Sequence, residues 1–221
     1  MLNPMATIAV LDYGFGSVLG LTSTFQALGV DVVALEHGAT LHAYDAAILP
    51  GTGPFGQAMR ALESVGMFSA LWNFYEEVRK PILGIGLGMQ MLASGSAESP
   101  GQPGLSLLPG TARSFGSSIP RPYVGWNRVQ VVQDDWLFEG VPDGSTFHFN
   151  QDYYILPTED ERHLTATYHL GGDTAVAAMR KGAVWSVQFD PVKSGEVGQQ
   201  VLANFARLVE RVSPTQEAGA Q

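Results

Sequence analysis

Apolar residues in the first 95 positions form short continuous runs, each followed by a segment with helical spacing. Residues 7–12 are an apolar run that ends at a glycine-rich turn, which is typical of a strand buried on both faces. Similar runs predict strands at residues 31–36, 46–49 and 82–85. Helical spacing is present at residues 17–28, 55–62, 68–79 and 87–93. Strands that alternate with helices predict a mostly parallel sheet with helices on both faces.

The second half of the chain has a different pattern. Residues 95–122 are rich in Gly, Pro and Ser, which predicts a loop. Strands are predicted at residues 128–132, 146–156, 165–170, 175–180 and 184–189, the last two as a hairpin around Lys181 and Gly182. A final helix follows Ser194. We therefore expect one α/β domain over residues 1–212, extended by antiparallel strands, and a polar tail at 213–221.

Composition excludes several classes of protein. Of 221 residues, 45% are hydrophobic, which is too many for a disordered chain. Lys and Arg number 12 against 21 Asp and Glu, and this acidic balance argues against nucleic-acid and anionic-membrane partners. No apolar run approaches the roughly 18 residues of a membrane span, and the N-terminus has no signal-peptide pattern, so we expect a cytoplasmic protein.

The chain contains no cysteine, which removes disulfides, thiolate metal sites and cysteine nucleophiles. No two of the five histidines have the i, i+4 spacing of a helical metal site. The segment Gly14-x-Gly16-x-x-x-Gly20 imitates a dinucleotide-binding turn, but it has one residue too many between its second and third glycines. We therefore predict no metal and no cofactor.

Residues 81–90, Pro-Ile-Leu-Gly-Ile-Gly-Leu-Gly-Met-Gln, carry the most informative motif. A buried strand there runs into a helix across three alternate glycines, Gly84, Gly86 and Gly88. This is the layout of a nucleophile elbow, which lifts its central side chain above the sheet in a strained conformation. The central residue here is Gly86, which has no side chain with which to attack a substrate.

These residues resemble one family in order and spacing, and the resemblance runs from about Ile8 to about Leu208. The matching segments are residues 12–16, 50–53, 84–90, 125–127, 153–154 and 187–194. The chain resembles the class I glutamine amidotransferases, and within them the glutaminase subunits of imidazole glycerol phosphate synthases, which serve histidine biosynthesis. The resemblance implies a flavodoxin-like fold and hydrolysis of glutamine by a cysteine, a histidine and a glutamate.

All three catalytic positions of that family are substituted here. The resemblance places the cysteine at Gly86, the histidine at Asp190 and the glutamate at Val192. Gly86 cannot attack a substrate and Val192 cannot orient a base, while Asp190 can in principle accept a proton but has no nucleophile to serve. We therefore expect no glutamine hydrolysis by the family's route. Glycine at the elbow also relieves the strain that a side chain would suffer there.

The resemblance also assigns a former substrate pocket. Its residues are Gly51, Thr52, Gly53, Gln90, Gln151, Asp152 and Tyr153. The first three match the family's oxyanion segment, although a tight strand-to-helix turn would need the same glycines. At residues 151 and 152 the family has a His-Ser pair, so the pocket is altered.

Three further residues match positions at or near the family's contact with a (β/α)8-barrel cyclase: Trp126, Asn127 and Lys193. Tryptophan is a frequent interface anchor, and lysine can pair across an interface. The alternatives are a core aromatic for Trp126 and a solvated charge for Lys193. The leading hypothesis is an inactive glutaminase-like subunit that forms a heterodimer with such a barrel.

Three other hypotheses remain open. An enzyme of altered chemistry would use Asp152 and Asp190 as a carboxylate pair that binds a cation or shares a proton. A small-molecule sensor would keep the pocket and bind an amino acid without hydrolysis. The chain can also be an amidotransferase by descent only.

Overall fold

The computed structural model describes residues 6–116, 119–158 and 160–212. The predicted tail at 213–221 lies outside the described residues. Five parallel strands form one side of a nine-stranded sheet: β1 (Thr7–Leu11), β2 (Asp31–Leu35), β3 (Ala46–Gly51), β4 (Ile82–Gly86) and β12 (Val184–Val187). Antiparallel strands extend it: β7 (Tyr123–Val131), β8 (Thr146–Gln151), β10 (Leu164–Leu170) and β11 (Asp173–Lys181). The strand order is β2-β1-β3-β4-β12-β11-β10-β7-β8.

Helices cover both faces of this sheet, as the sequence predicts. Their bounds are α1 (Val18–Ala27), α2 (Phe55–Ser64), α3 (Met67–Asn73), α4 (Leu87–Leu92) and α5 (Gly195–Val212). Phe25 of α1 and Phe205 of α5 belong to one buried apolar cluster. Phe55 of α2, Leu71 of α3 and Met91 of α4 belong to a second. The mostly parallel sheet, its helical layers and its antiparallel extension are therefore confirmed, while the single domain over 1–212 stays a prediction.

Two details differ from the sequence predictions. The segment 95–122 contains β5 (Gly95–Ser96) and β6 (Thr111–Ser114), which join β9 (Tyr153–Tyr154) in a small second sheet. Strands of two to four residues are too short to show a hydrophobic period, so the pattern there indicates a loop. Helix α1 buries fewer residues than its spacing indicates, since Leu19 is 79% exposed.

Within the described residues, no helix is long and apolar enough to cross a membrane.

Tyr13, just after β1, fixes the end of β3. Its buried hydroxyl donates a hydrogen bond of 2.6 Å to the carbonyl oxygen of Pro50 and lies 3.3 Å from the sulfur of Met91. Burial raises the pKa of the Tyr13 phenol well above its usual range. The carboxyl ends of β1 and β3 and helix α4 are thereby held together at one edge of the sheet.

This burial predicts a loss of stability at alkaline pH. Unfolded tyrosine releases its proton near pH 10, whereas folded Tyr13 keeps its proton to higher pH. Above about pH 10 the unfolded state thus binds fewer protons, and the free energy of unfolding should fall by up to about 1.4 kcal/mol per pH unit for this residue. Tyr13→Phe should flatten that decline in urea titrations between pH 9 and 11. Tyr75→Phe, at a partly exposed position, is the control, and an unchanged slope in Tyr13→Phe would contradict the prediction.

Candidate functional site

The structure places Gly86 at the turn from β4 into α4. Its backbone angles are φ 62° and ψ −117°, a conformation that residues with a side chain rarely adopt. Two residues later, a Cβ built on Gly88 would lie only 1.9 Å from the carbonyl oxygen of Leu49. Helix α4 therefore lies directly against β3, and this close approach produces the sharp turn that the glycine pattern predicts.

A side chain at position 86 would also meet the neighbouring strand. A Cβ built on Gly86 would lie 3.0 Å from the carbonyl oxygen of Gly51. This distance is shorter than ordinary van der Waals contact, so the backbone at β3 would have to shift slightly. Steric contact and backbone strain both favour glycine where no reactive side chain is required.

Two small cavities lie beside the elbow. The first has a volume of about 70 Å³ and is lined by Gly51, Thr52, Gly53, Leu87, Gln90, Glu98, Asn150, Gln151, Asp152 and Tyr153. The second has about 40 Å³ and is lined by Ser17, Leu21, Pro50, Gly51, Thr52, Ile85, Gly86, Asn150, Gln188, Asp190 and Val192. The predicted pocket residues thus line the first cavity. The three residues that the resemblance assigns to the catalytic positions, Gly86, Asp190 and Val192, line the second. Both volumes are far below the roughly 300 Å³ at which ligand pockets usually begin.

Buried amide side chains cross the region between the two cavities. Gln90 Nε2 donates to the carbonyl oxygen of Tyr153 at 3.0 Å and to Gln188 Oε1 at 3.2 Å. Gln151 Nε2 donates to the hydroxyl of Tyr168. Among the described residues, Gln151 Oε1 and Gln188 Nε2 have no hydrogen-bond partner. The first cavity therefore has a mostly polar lining, the second has a mostly apolar lining, and the unpaired amide atoms could bond to water.

The carboxylate of Asp190 forms hydrogen bonds and an ion pair within its own turn. Its Oδ1 accepts hydrogen bonds from the backbone N–H of Val192 at 3.0 Å and of Lys193 at 3.3 Å. Its Oδ2 lies 3.5 Å from Lys193 Nζ. Asp152 is exposed and lines the other cavity. The structure thus gives Asp152 and Asp190 separate surroundings rather than one shared site.

Val192 occupies the third triad position as an apolar contact. It is partly buried against the larger core cluster, and a Cβ built on Gly20 of α1 would lie 3.4 Å from its Cγ1. A carboxylate at this position would lose its water without gaining a histidine partner. Valine therefore fits the packing between this turn and α1.

Of the three predicted interface residues, Trp126 and Asn127 lie on β7, and Lys193 lies on the turn after β12. Trp126 is 56% exposed, which excludes a core position, and its ring meets that of His148 edge to face at 5.8 Å. Lys193 is also exposed. Asn127 differs, because its Nδ2 donates to the carbonyl oxygen of His169 at 2.8 Å. Trp126 and Lys193 lie in one region, because Trp126 packs against His148, His148 is hydrogen-bonded to Asp190, and Asp190 pairs with Lys193. The side chain of Asn127 is instead used in a hydrogen bond within the protein.

Alternation along β7 and β8 creates a continuous outer surface, which we call the β7–β8 face. Its residues are Val124, Trp126 and Arg128 on β7, paired directly with Asn150, His148 and Thr146 on β8. Asn150 also lines both cavities. The β7–β8 face therefore continues to the edge of the two cavities.

Sequence reasoning missed Glu98, Asn150 and Gln188 as pocket residues. Glu98 Oε2 accepts a hydrogen bond of 2.8 Å from the backbone N–H of Phe55, at the start of α2. Glu98 follows the two-residue strand β5, and no local pattern marks it. Gln188 lies inside the matching segment 187–194 and Asn150 lies close to the segment 153–154, so the motif spacing does carry a signal for these two. In the described part of the chain, no group of three or more His, Cys, Asp or Glu side chains is arranged to hold a metal ion.

Comparisons with known proteins agree with this geometry. The chain belongs to the class-I glutamine amidotransferase family, whose pattern it matches over residues 9–209. Among curated proteins it is similar to the imidazole glycerol phosphate synthase subunit HisH of Chlorobaculum tepidum, with 38% identity over 202 residues that cover 91% of this chain and 100% of that protein. The subunit HisH of Moorella thermoacetica is 39% identical over 205 residues, covering 93% and 96%.

Solved structures show the same fold at lower identity. A crystal structure of a glutamine amidotransferase has a TM-score of 0.70 and 19% identity, covering 93% of this chain and 99% of that one. PurLQS from Thermotoga maritima has a TM-score of 0.73 and 18% identity, covering 93% and 99%. The flavodoxin-like amidotransferase fold is therefore shared.

We expect Gly86→Ala to destabilise the protein. The methyl group would be forced into the strained backbone conformation and against the oxygen of Gly51, which should cost about 1–3 kcal/mol. Gly116→Ala is the control, because a Cβ there meets nothing within 4 Å and its φ is not in the positive range. The measurement is chemical denaturation of the two variants and the natural chain. Equal stability for both variants would show that the elbow is not strained.

Proposed function

We propose that this chain is a glutaminase-like subunit that does not hydrolyse glutamine and that acts by docking on a (β/α)8-barrel cyclase as a heterodimer. The observation that carries the proposal is glycine at the elbow, where the family's route needs a thiolate. Its relatives are named as subunits of a synthase, which supports a subunit role for this chain.

The chemistry around Gly86 supports the loss of activity. No cysteine is present anywhere in the chain, and among the described residues no histidine lines either cavity beside the elbow. Ser17 and Thr52 carry hydroxyl groups there, but a hydroxyl needs an adjacent base to become a nucleophile. Asp190, the residue in the histidine position, already accepts two backbone hydrogen bonds.

The alternative of altered chemistry receives less support. A carboxylate pair acts on a cation or a shared proton only when both groups reach it. Asp152 and Asp190 line different cavities, and the carboxylate of Asp190 is engaged within its own turn. The sensor alternative meets a similar difficulty, because cavities of about 70 and 40 Å³ are small for an amino acid.

The β7–β8 face supports the docking half of the proposal. It exposes Val124 and Trp126 next to each other on one side of β7, and Arg128 follows them. Tryptophan and arginine are enriched at the energetic centres of interfaces. The face also borders the elbow cavities through Asn150, so a partner seated on it would cover the former active site.

We expect the purified natural chain to release no glutamate from glutamine, alone or with the cyclase barrel from the same organism. The companion variant restores all three family residues, as Gly86→Cys, Asp190→His and Val192→Glu. It should show weak glutaminase activity, because the nucleophile, base and orienting carboxylate return while Gln151 and Asp152 stay.

The single change Gly86→Cys is the control for that assay. It supplies a thiol without its base and should stay at least about 100-fold below the triple variant. Glutamate is measured with a coupled dehydrogenase assay. Steady glutamate release by the natural chain would contradict the proposal.

We expect Trp126→Ala to weaken binding to the cyclase barrel by about 30-fold or more, since an exposed tryptophan at the centre of an interface contributes about 2 kcal/mol or more. Trp136→Ala is the matched control, because Trp136 is also half-exposed, at 49%, but lies on a turn outside the β7–β8 face. Binding is measured by titration calorimetry. Equal losses in both variants would place the docking site elsewhere.

A further inference from the structure

The turn at residues 190–194 connects β12 to α5 and carries Lys193. Two hydrogen bonds tie this turn to β8, and a third lies inside the turn. The backbone N–H of Asp190 donates to the carbonyl oxygen of His148 at 2.8 Å, and the backbone N–H of His148 donates to Ser194 Oγ at 3.0 Å. Ser194 Oγ in turn donates to the carbonyl oxygen of Asp190 at 2.6 Å. The turn is therefore joined to the residue that packs against Trp126.

The side chain of Asp190 closes the same turn from within. Oδ1 accepts the backbone N–H groups of Val192 and Lys193, which is the bonding of an Asx turn, and Oδ2 faces the Lys193 ammonium. One carboxylate thus fixes both the backbone and the charged end of Lys193. Neutral histidine offers a single acceptor nitrogen and cannot make this set of bonds.

We propose that Asp190 is a positioning residue for docking: it holds the turn and Lys193 beside Trp126 in the conformation that the barrel binds. The inference rests on the proposed function. The position that the family uses for its catalytic histidine would then serve, in this chain, to order the partner-facing surface.

Preorganisation gives the physical reason. If the turn and the lysine side chain are flexible before binding, they must lose conformational freedom when the partner binds. That loss of entropy weakens the complex. With Asp190 in place, the backbone of the turn is already ordered in the free chain, and the Lys193 ammonium has a nearby carboxylate. Lys193 keeps donors for a partner acceptor, because an ammonium carries three N–H groups and Asp190 engages only part of them.

The test compares Asp190→Ala with Asp190→Asn. The amide oxygen of Asn can still accept the two backbone N–H groups, whereas Ala removes every side-chain bond. The control is Asp160→Ala, because Asp160 forms the same kind of turn, accepting the N–H of Arg162 at 3.2 Å and pairing with the Arg162 guanidinium. Two quantities are measured: the affinity for the cyclase barrel from the same organism, and hydrogen exchange of the Val192 and Lys193 amides in the free chain.

We expect Asp190→Ala to bind three- to tenfold more weakly and to exchange both amides faster, while Asp190→Asn stays within about twofold in affinity. Asp160→Ala should bind like the natural chain. Unchanged affinity in Asp190→Ala, despite faster exchange, would overturn the inference. Equal losses in Ala and Asn with both amides still protected would also overturn it, since the turn would then be ordered without the Asp190 side chain.

If the proposed function is wrong, the binding measurement and the amide-exchange measurement give a different combination of results. If the natural chain itself binds no barrel, the docking proposal fails and this role of Asp190 fails with it. Amide exchange in the free chain still shows whether Asp190 holds the turn, because that measurement needs no partner.

Discussion

The close approach of helix α4 to strand β3 is the constraint on which the site depends. Gly88 lies against the carbonyl oxygen of Leu49, and two residues earlier Gly86 has a backbone conformation that residues with a side chain rarely adopt. An amidotransferase must accept that strain, because the strain holds its nucleophile above the sheet. Where no thiol is required, glycine at this position avoids both the backbone strain and the contact with the Gly51 oxygen.

The other two substituted positions follow the same physical logic. Asp190 satisfies backbone N–H groups of the turn before α5, and Val192 fills space beside α1. Each residue favours local stability over proton transfer. Three such changes in one site are consistent with a surface role for the chain, and they explain why restoring the thiol alone would leave the site without a base.

The sequence predicts the parallel half of the fold well because its strands are buried on both faces and its helices are long enough to show a period. The small sheet of β5, β6 and β9 was missed, since strands this short depend on distant partners rather than on their own pattern. The residue set of the elbow was predicted from motif spacing. The separation of Asp152 from Asp190 was not predicted, because it depends on where β8 ends and on the turn that the Asp190 side chain closes.

The elbow and the β7–β8 face are built by different physical means, so one can change while the other is kept. Helix–strand contact shapes the elbow, whereas strand alternation exposes Val124 and Trp126. The two regions meet at Asn150, which lines both cavities from β8, and at the hydrogen bond from the Asp190 N–H to the carbonyl oxygen of His148. The proposed loss of the reaction therefore concerns the turns around the elbow, whereas the proposed docking surface depends on the exposed side of two paired strands. The proposed function needs both, and the fold places them in separate elements.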